Sequence, residues 1–259
     1  MNIPEKIRQC RNILRESKSP LPLILDMMRL KRSDYIAECG GLLFDIKAHS
    51  HEWYTLYENI IRKDYFRNGV SVAPADVVID VGANFGSFTV LAAKMVGDSG
   101  HVISFEPDPL VYDRLVRNVA LNKLSNVTCR NEAVSGSDGT VELYVQSKSA
   151  LSSTFKPAGE RPLKSESKIE VTAIALKKVI SSIECVSLLK VDCEGAEYDI
   201  LGSLQKSDVA NVMQISMETH KIEGREEREI VPMLADLGFK VFGEPALITA
   251  LQRVGRLAA

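Results

Sequence analysis

The apolar positions change rhythm twice along the chain. Up to residue 34 they recur at helical spacing in two stretches, split by "SKSPLP", where Ser19-Pro20 and Pro22 forbid a continuous helix. "YIAECGGLLFDI", Tyr35 to Ile46, then reads as two short strands around Gly40-Gly41, a hairpin pattern. In "EWYTLYENIIRKDYF" the helical spacing returns, with Trp53, Leu56, Tyr57, Ile60 and Ile61 on one stripe that suits core packing. From Pro74 the chain alternates. "DVVIDVG" is a β-branched run of the kind buried on both faces of a sheet, and "SFTVLAAKMVGDSG" is an amphipathic helix. "HVISFEP", "NVTCRNEAV", "SLLKVDCEG" and "NVMQISMETH" supply further central strands, with helices between them and "FKVFG" as the last strand. "TVELYV" and "IEVTAIAL" are added strands. Such alternation predicts an α/β fold, a mostly parallel sheet with helices on both faces.

Composition narrows this only a little. A chain of 259 residues holds one large α/β domain with a small appendage. The expected division is a helical and hairpin extension over residues 1–70 and the α/β domain over residues 71–259. The net charge of -2 and pI near 6.1 argue against a broadly basic nucleic-acid binder. Five scattered cysteines without a C-x-x-C pair suggest neither a disulfide framework nor a zinc site, so a reducing cytoplasm is expected. The charged N-terminus lacks the apolar core of a signal peptide, and "LPLILDMM" is too short to cross a bilayer, so no membrane partner is expected. His49 and His51 form an H-x-H pair without further nearby ligands and read as loop residues.

Chemistry enters at the strand ends, where an open α/β sheet gathers its ligand. Asp80 to Gly86, Glu106-Pro107, Asp192 to Gly195 and Glu218 to His220 all fall there. "VGANFG" is not a Walker loop, because no lysine follows Gly86. Nor is it the dinucleotide fingerprint G-x-G-x-x-G, because Asn84 stands near the middle glycine's place and Asp80 precedes the loop. A carboxylate there would repel a pyrophosphate but would suit a ligand carrying an ammonium group. S-adenosylmethionine is such a ligand, and Glu106 is placed to accept hydrogen bonds from its ribose hydroxyls. The plain alternative, Asp80 as a helix cap and the glycines as a tight turn, accounts for neither Glu106 nor the register.

With D-V-G-A-N-F-G, F-E-P, N-E-A-V-S and "LLKVDCEGAEYDIL" in hand, the chain resembles the FkbM-type methyltransferases over roughly Tyr35 to Gly243. These are S-adenosylmethionine-dependent enzymes that mostly methylate hydroxyl oxygens of small molecules and sugars. The resemblance implies a Rossmann-like class I methyltransferase fold with a central sheet of about seven strands. By the same resemblance, Asp80, Gly82, Asn84, Phe85 and Gly86 would surround the methionine portion of the cofactor. Glu106 and Pro107 would hold the ribose, and Glu132 and Ala133 would border the adenine. The family pattern K-x-D-x-E-G-x-E is met by Lys190, Asp192, Glu194, Gly195 and Glu197. Its closing glutamate and histidine are met by Glu218 and His220.

Methyl transfer needs alignment and a deprotonated nucleophile. Asp192, Glu194, Glu218 and His220, on neighbouring strand ends, form a set able to act as base or to bind a divalent cation, although no metal is favoured. Glu197 fits the first turn of the helix that follows, where the helix dipole favours an acid. Lys190 suits either pairing with an acid or orienting an acidic substrate. "QSKSALSSTFKPAGERPLKSES" suits a flap over the cleft, and the N-terminal helices suit a cap over the site or a homodimer contact. The expected acceptor is a small molecule or sugar. Two rival readings are an NAD-dependent oxidoreductase, which Asp80 and Asn84 disfavour, and a cofactor-binding protein without catalysis, for which the acidic rim would have no use.

Overall fold

A computed structural model describes residues 3–145, 167–244 and 246–252. The expected flap therefore lies, over residues 146–166, outside the described residues. Two helices, α1 (Ile3–Glu16) and α2 (Pro20–Met27), open the chain, and the two prolines of "SPLP" sit in the first turn of α2. There a missing N–H costs nothing. The hairpin β1 (Tyr35–Cys39) and β2 (Leu42–Ile46) follows, with Gly40 and Gly41 both at positive φ in its turn.

The predicted single helix after the hairpin is broken into three pieces. α3 (Glu52–Leu56) passes into a π-helical turn at Tyr57–Arg62, Lys63 takes φ of 53°, and a 3₁₀ turn covers Asp64–Phe66. A π turn inside a helix commonly marks a functional site. Here the break swings Tyr65 inward beneath the strand ends.

The central sheet has seven strands, in the order β11 (Phe239–Glu244), β12 (Leu247–Gln252), β10 (Gln214–Glu218), β9 (Leu188–Val191), β3 (Val77–Val81), β4 (His101–Phe105) and β5 (Val127–Arg130). Its five core strands, β10 to β5, pair in parallel, and β12 lies antiparallel between β10 and β11. "FKVFG" is thus the outer arm of a terminal hairpin, and β12 is the strand that the sequence reading lacks. The strand order reverses between β3 and β9, which places the switch point between Asp80 and Lys190. "NVTCRNEAV" is two strands: it breaks at Asn131-Glu132, and β6 (Ala133–Ser135) leaves for a second sheet with β8 (Ser167–Ala175) and β7 (Gly139–Val145).

Helices α4 (Ser87–Val96), α5 (Pro109–Leu121), α6 (Leu176–Ser181), α7 (Glu197–Gly202) and α8 (Ile230–Asp236) complete the alternation. Asp108 caps α5, its side chain accepting from the backbone N–H of Leu110 and Val111. One apolar cluster packs Trp53, Leu56, Tyr57 and Ile60 against Phe85, Leu91 and Leu115, so the N-terminal segment and the sheet domain share a core. A buried ion pair, Arg114 with Glu52 at 2.6 Å, ties α3 to α5. No helix among the described residues is long and apolar enough to cross a membrane.

Candidate active site

The loop after β3 is shaped from beneath. Gly82 has φ of 75°, and a Cβ there would lie 1.7 Å from the carbonyl oxygen of Asp192, so only glycine lets the loop lie against the end of β9. Lys190, buried on β9, donates to the carbonyl oxygens of Gly82 at 2.6 Å and Val81 at 3.3 Å. Its ammonium also lies 3.1 Å from Asp80 and 3.7 Å from Asp192. Burial opposes that charge, but Asp80 and Asp192 hold it, and its pKa rises. Asp80 itself is fully buried and accepts from the Thr89 hydroxyl. It braces the loop and does not line the cleft, contrary to the expectation that it faces the ligand. Phe85 is likewise buried beneath the loop, and Gly86 packs on Leu115.

What does line the cleft is Gly82, Asn84, Glu106, Pro107, Glu132, Ala133, Asp192 and Glu194, with apolar walls from Val81, Phe105, Val134 and Leu143, around about 610 Å³. Glu106 is 6% exposed. One of its oxygens accepts from the Asn84 N–H at 2.8 Å and the other from the Asp108 N–H at 2.9 Å. Each oxygen keeps a lone pair for a further donor, the arrangement a vicinal diol needs. Burial pushes its carboxyl up to about 7 against the pull of those two N–H groups. Apolar side chains, a buried diol acceptor and backbone groups of the Asn84 loop make a set of groups that suits S-adenosylmethionine.

Beyond Asp192 lies a cluster of opposite character. His220 donates or accepts through Nδ1 to Glu197 at 2.8 Å, while its Nε2 faces Glu194 at 3.6 Å, Asp192 at 3.9 Å and Glu218 at 3.9 Å. Glu197 is fully buried in the first turn of α7 (Glu197–Gly202), where it was expected, and its carboxylate also orients the imidazole. Burial alone would lower the imidazole's pKa, but the Glu197 contact and the charges of Glu194 and Asp192 drive it up to about 10. Burial and the crowding of like charges raise the carboxyls of Glu194 and Glu218. Glu194 adopts φ of 52°, a costly conformation for a residue with a Cβ, and thereby turns its side chain into the cluster. Ligand atoms of Asp192, Glu218 and His220 lie within 4.8 Å of one another, close enough to share a cation or a proton.

A second, larger cavity of about 1470 Å³ opens on this cluster. Its wall includes Tyr54, Glu58, Arg62 and Tyr65 from the broken helix, Glu244 and Leu247 from the terminal hairpin, and Asn84, Asp192 and Glu194. His51 lines it too, whereas His49 does not. Asn84, Asp192 and Glu194 are the residues that the two cavities share.

The predicted site residues therefore divide. Gly82, Asn84, Glu106, Pro107, Glu132 and Ala133 line one cavity, Asp192, Glu194, Glu218 and His220 converge beside it, and Asp80, Phe85 and Gly86 support it from behind. The sequence reading missed Tyr65, whose hydroxyl donates to Asp192 at 2.8 Å and lies 3.3 Å from Glu218. It lies near the end of "EWYTLYENIIRKDYF", outside the stripe singled out there.

The sequence profile of the "Methyltransferase FkbM domain" matches residues 80–241, so it begins well after Tyr35, where the resemblance was expected to start. The chain is 28% identical over 232 residues, 79% of this chain and 88% of the relative, to "31-O-demethyl-FK506 methyltransferase FkbM" of Streptomyces tacrolimicus. It is 30% identical over 192 residues, 63% of this chain and 73% of the relative, to "Methyltransferase sdnD" of Sordaria araneosa. A crystal structure of a SAM-dependent O-methyltransferase from Thermotoga maritima matches 91% of this chain and 73% of its own, with a TM-score of 0.44 and 14% identity, a level that says nothing of the chemistry.

Proposed function

The chain belongs to the FkbM methyltransferase family and is an S-adenosylmethionine-dependent methyltransferase; from that premise we propose that it methylates a hydroxyl oxygen of a small molecule or sugar. One observation carries the reading: the cleft that fits the cofactor and the larger cavity meet at Asn84, Asp192 and Glu194. The name of the Streptomyces tacrolimicus relative, which points to the demethylated 31-oxygen of FK506, supports an oxygen acceptor.

When bound, S-adenosylmethionine supplies a methyl group on a sulfonium, and the thioether it leaves behind needs no proton. The acceptor's proton is the chain's own task. Asp192, at the junction, takes that proton as the oxygen–carbon bond forms, while Lys190 and the Tyr65 hydroxyl hold its carboxylate in place. His220, cationic in the cluster, keeps Glu194 and Glu218 from forcing one another apart. Glu106 and the Asn84 loop would hold the donor beside Asp192 and Glu194, which both cavities share.

Calorimetric titration with S-adenosylhomocysteine, with NAD and NADP as controls, tests the cofactor site without any acceptor. Selective binding of the homocysteine compound is expected, and NAD binding alone would overturn the reading. Transfer of a labelled methyl group to hydroxylated small molecules, and not to matched amines, then tests the oxygen acceptor.

A further inference from the structure

We propose that Tyr65, outside the family match at residues 80–241, is a positioning residue that locks Asp192 and Glu218 into their working geometry, so that the N-terminal segment completes the active site. The inference rests on the methyl-transfer reading for its meaning, but its geometry stands alone.

Two carboxylates on adjacent strand ends repel; His220, just past β10, faces one oxygen of each, and Tyr65 holds the other oxygen of each from a third direction. Its side chain is 4% exposed, and its hydroxyl reaches Oδ2 of Asp192 and Oε2 of Glu218. The opposite oxygens, Oδ1 and Oε1, are the ones that face Nε2 of His220. One hydroxyl thus fixes the rotation of both carboxylates and decides which oxygen each presents. The phenol stays protonated, because burial and the charges of Asp192 and Glu218 drive its pKa well up. Its ring cannot slide, being packed edge-on against Phe88 at 5.4 Å and covered by the Lys190 ammonium at 5.3 Å. The same ammonium pairs with Asp192, so Lys190 grips that carboxylate and the ring that orients it. The π-helical turn at Tyr57–Arg62 and the left-handed Lys63 aim Tyr65 at this spot, which gives the irregular backbone a purpose.

The test replaces the hydroxyl and keeps the ring. The crystal structure of Tyr65→Phe is the readout: without the hydroxyl the carboxylates of Asp192 and Glu218 rotate, so that Oδ1 and Oε1 no longer both face Nε2 of His220 at 3.9 Å. Affinity for S-adenosylhomocysteine stays within about twofold, and the melting temperature moves by no more than about 4 °C. Carboxylates of Asp192 and Glu218 that keep their rotation in a folded Tyr65→Phe protein that still binds S-adenosylhomocysteine would overturn the proposal alone. Absence of S-adenosylhomocysteine binding in the unaltered protein would instead sink the methyl-transfer reading. With an acceptor in hand, Tyr65→Phe lowers kcat about tenfold or more and leaves KM for the donor unchanged.

Discussion

The two cavities that meet at Asp192 are built on different principles. The cofactor cleft is framed by the ends of β3, β4 and β9 together with β6 and β7 of the second sheet, and its most deeply buried charged group, Glu106, is held by two neighbouring N–H groups. The larger cavity is framed by charged and aromatic side chains that come from the N-terminal segment, the middle of the chain and the terminal hairpin. The first has the rigidity suited to one unchanging ligand. The second is a surface whose chemistry is set by side chains, which can be exchanged without disturbing the fold.

Five experiments would break or sharpen that contrast. Asp192→Asn should lower turnover by about 10²–10⁴-fold and change S-adenosylhomocysteine affinity far less, because the amide keeps the shape of the wall that Asp192 gives the cleft but cannot take the proton. Equal damage to both would mean that the cavities are not separable. Lys190→Met should cost about 3–5 kcal/mol of stability in denaturant titration, since Asp80 would remain buried without its cation. Asp80→Ala should behave likewise, by the same buried pairing, as a defect of stability more than of binding.

Glu106→Ala should weaken S-adenosylhomocysteine about 10- to 100-fold with the fold retained, the worth of a charged hydrogen-bond acceptor. Unchanged affinity would remove Glu106 from the cleft's chemistry. The smallest effect is one of pH. Ribose donors favour the ionised Glu106, whose carboxyl in the empty cleft titrates near 7. Affinity should therefore be flat above that pH and fall by up to about tenfold per unit below it, as binding must first expel a proton. Glu106→Gln should flatten the profile.

The same contrast explains what could be read from the sequence. The cofactor loop is local: D-x-G-x-N-x-G and F-E-P carry their meaning within a few residues, and alternation places both at strand ends. Even there, spacing alone misdirects Asp80, because a motif records that an acid is needed and not which way it turns. The acidic cluster was legible in its strand-end members, as Asp192, Glu194, Glu218 and His220 sit in plain view. Tyr65 was not, since it lies 127 residues from Asp192 and looks like core packing until the helix is seen to break. Strand β12 could have been found. Two apolar runs flank "GEPA", a turn composition, and only the weight placed on "FKVFG" as the last strand hid the second arm.

The buried Arg114–Glu52 pair, together with the Asn118 side chain that accepts from the Asp45 N–H and donates to the carbonyl of Phe85, has a practical consequence for retargeting. Residues 51–67 form one continuous stretch of the larger cavity's wall and would be the natural segment to exchange between relatives. That segment is bolted to helix α5. A transplant that carries the wall without matching Glu52 to its arginine would strand a guanidinium in the interior, so the exchangeable unit is the stretch together with its anchor points on α5.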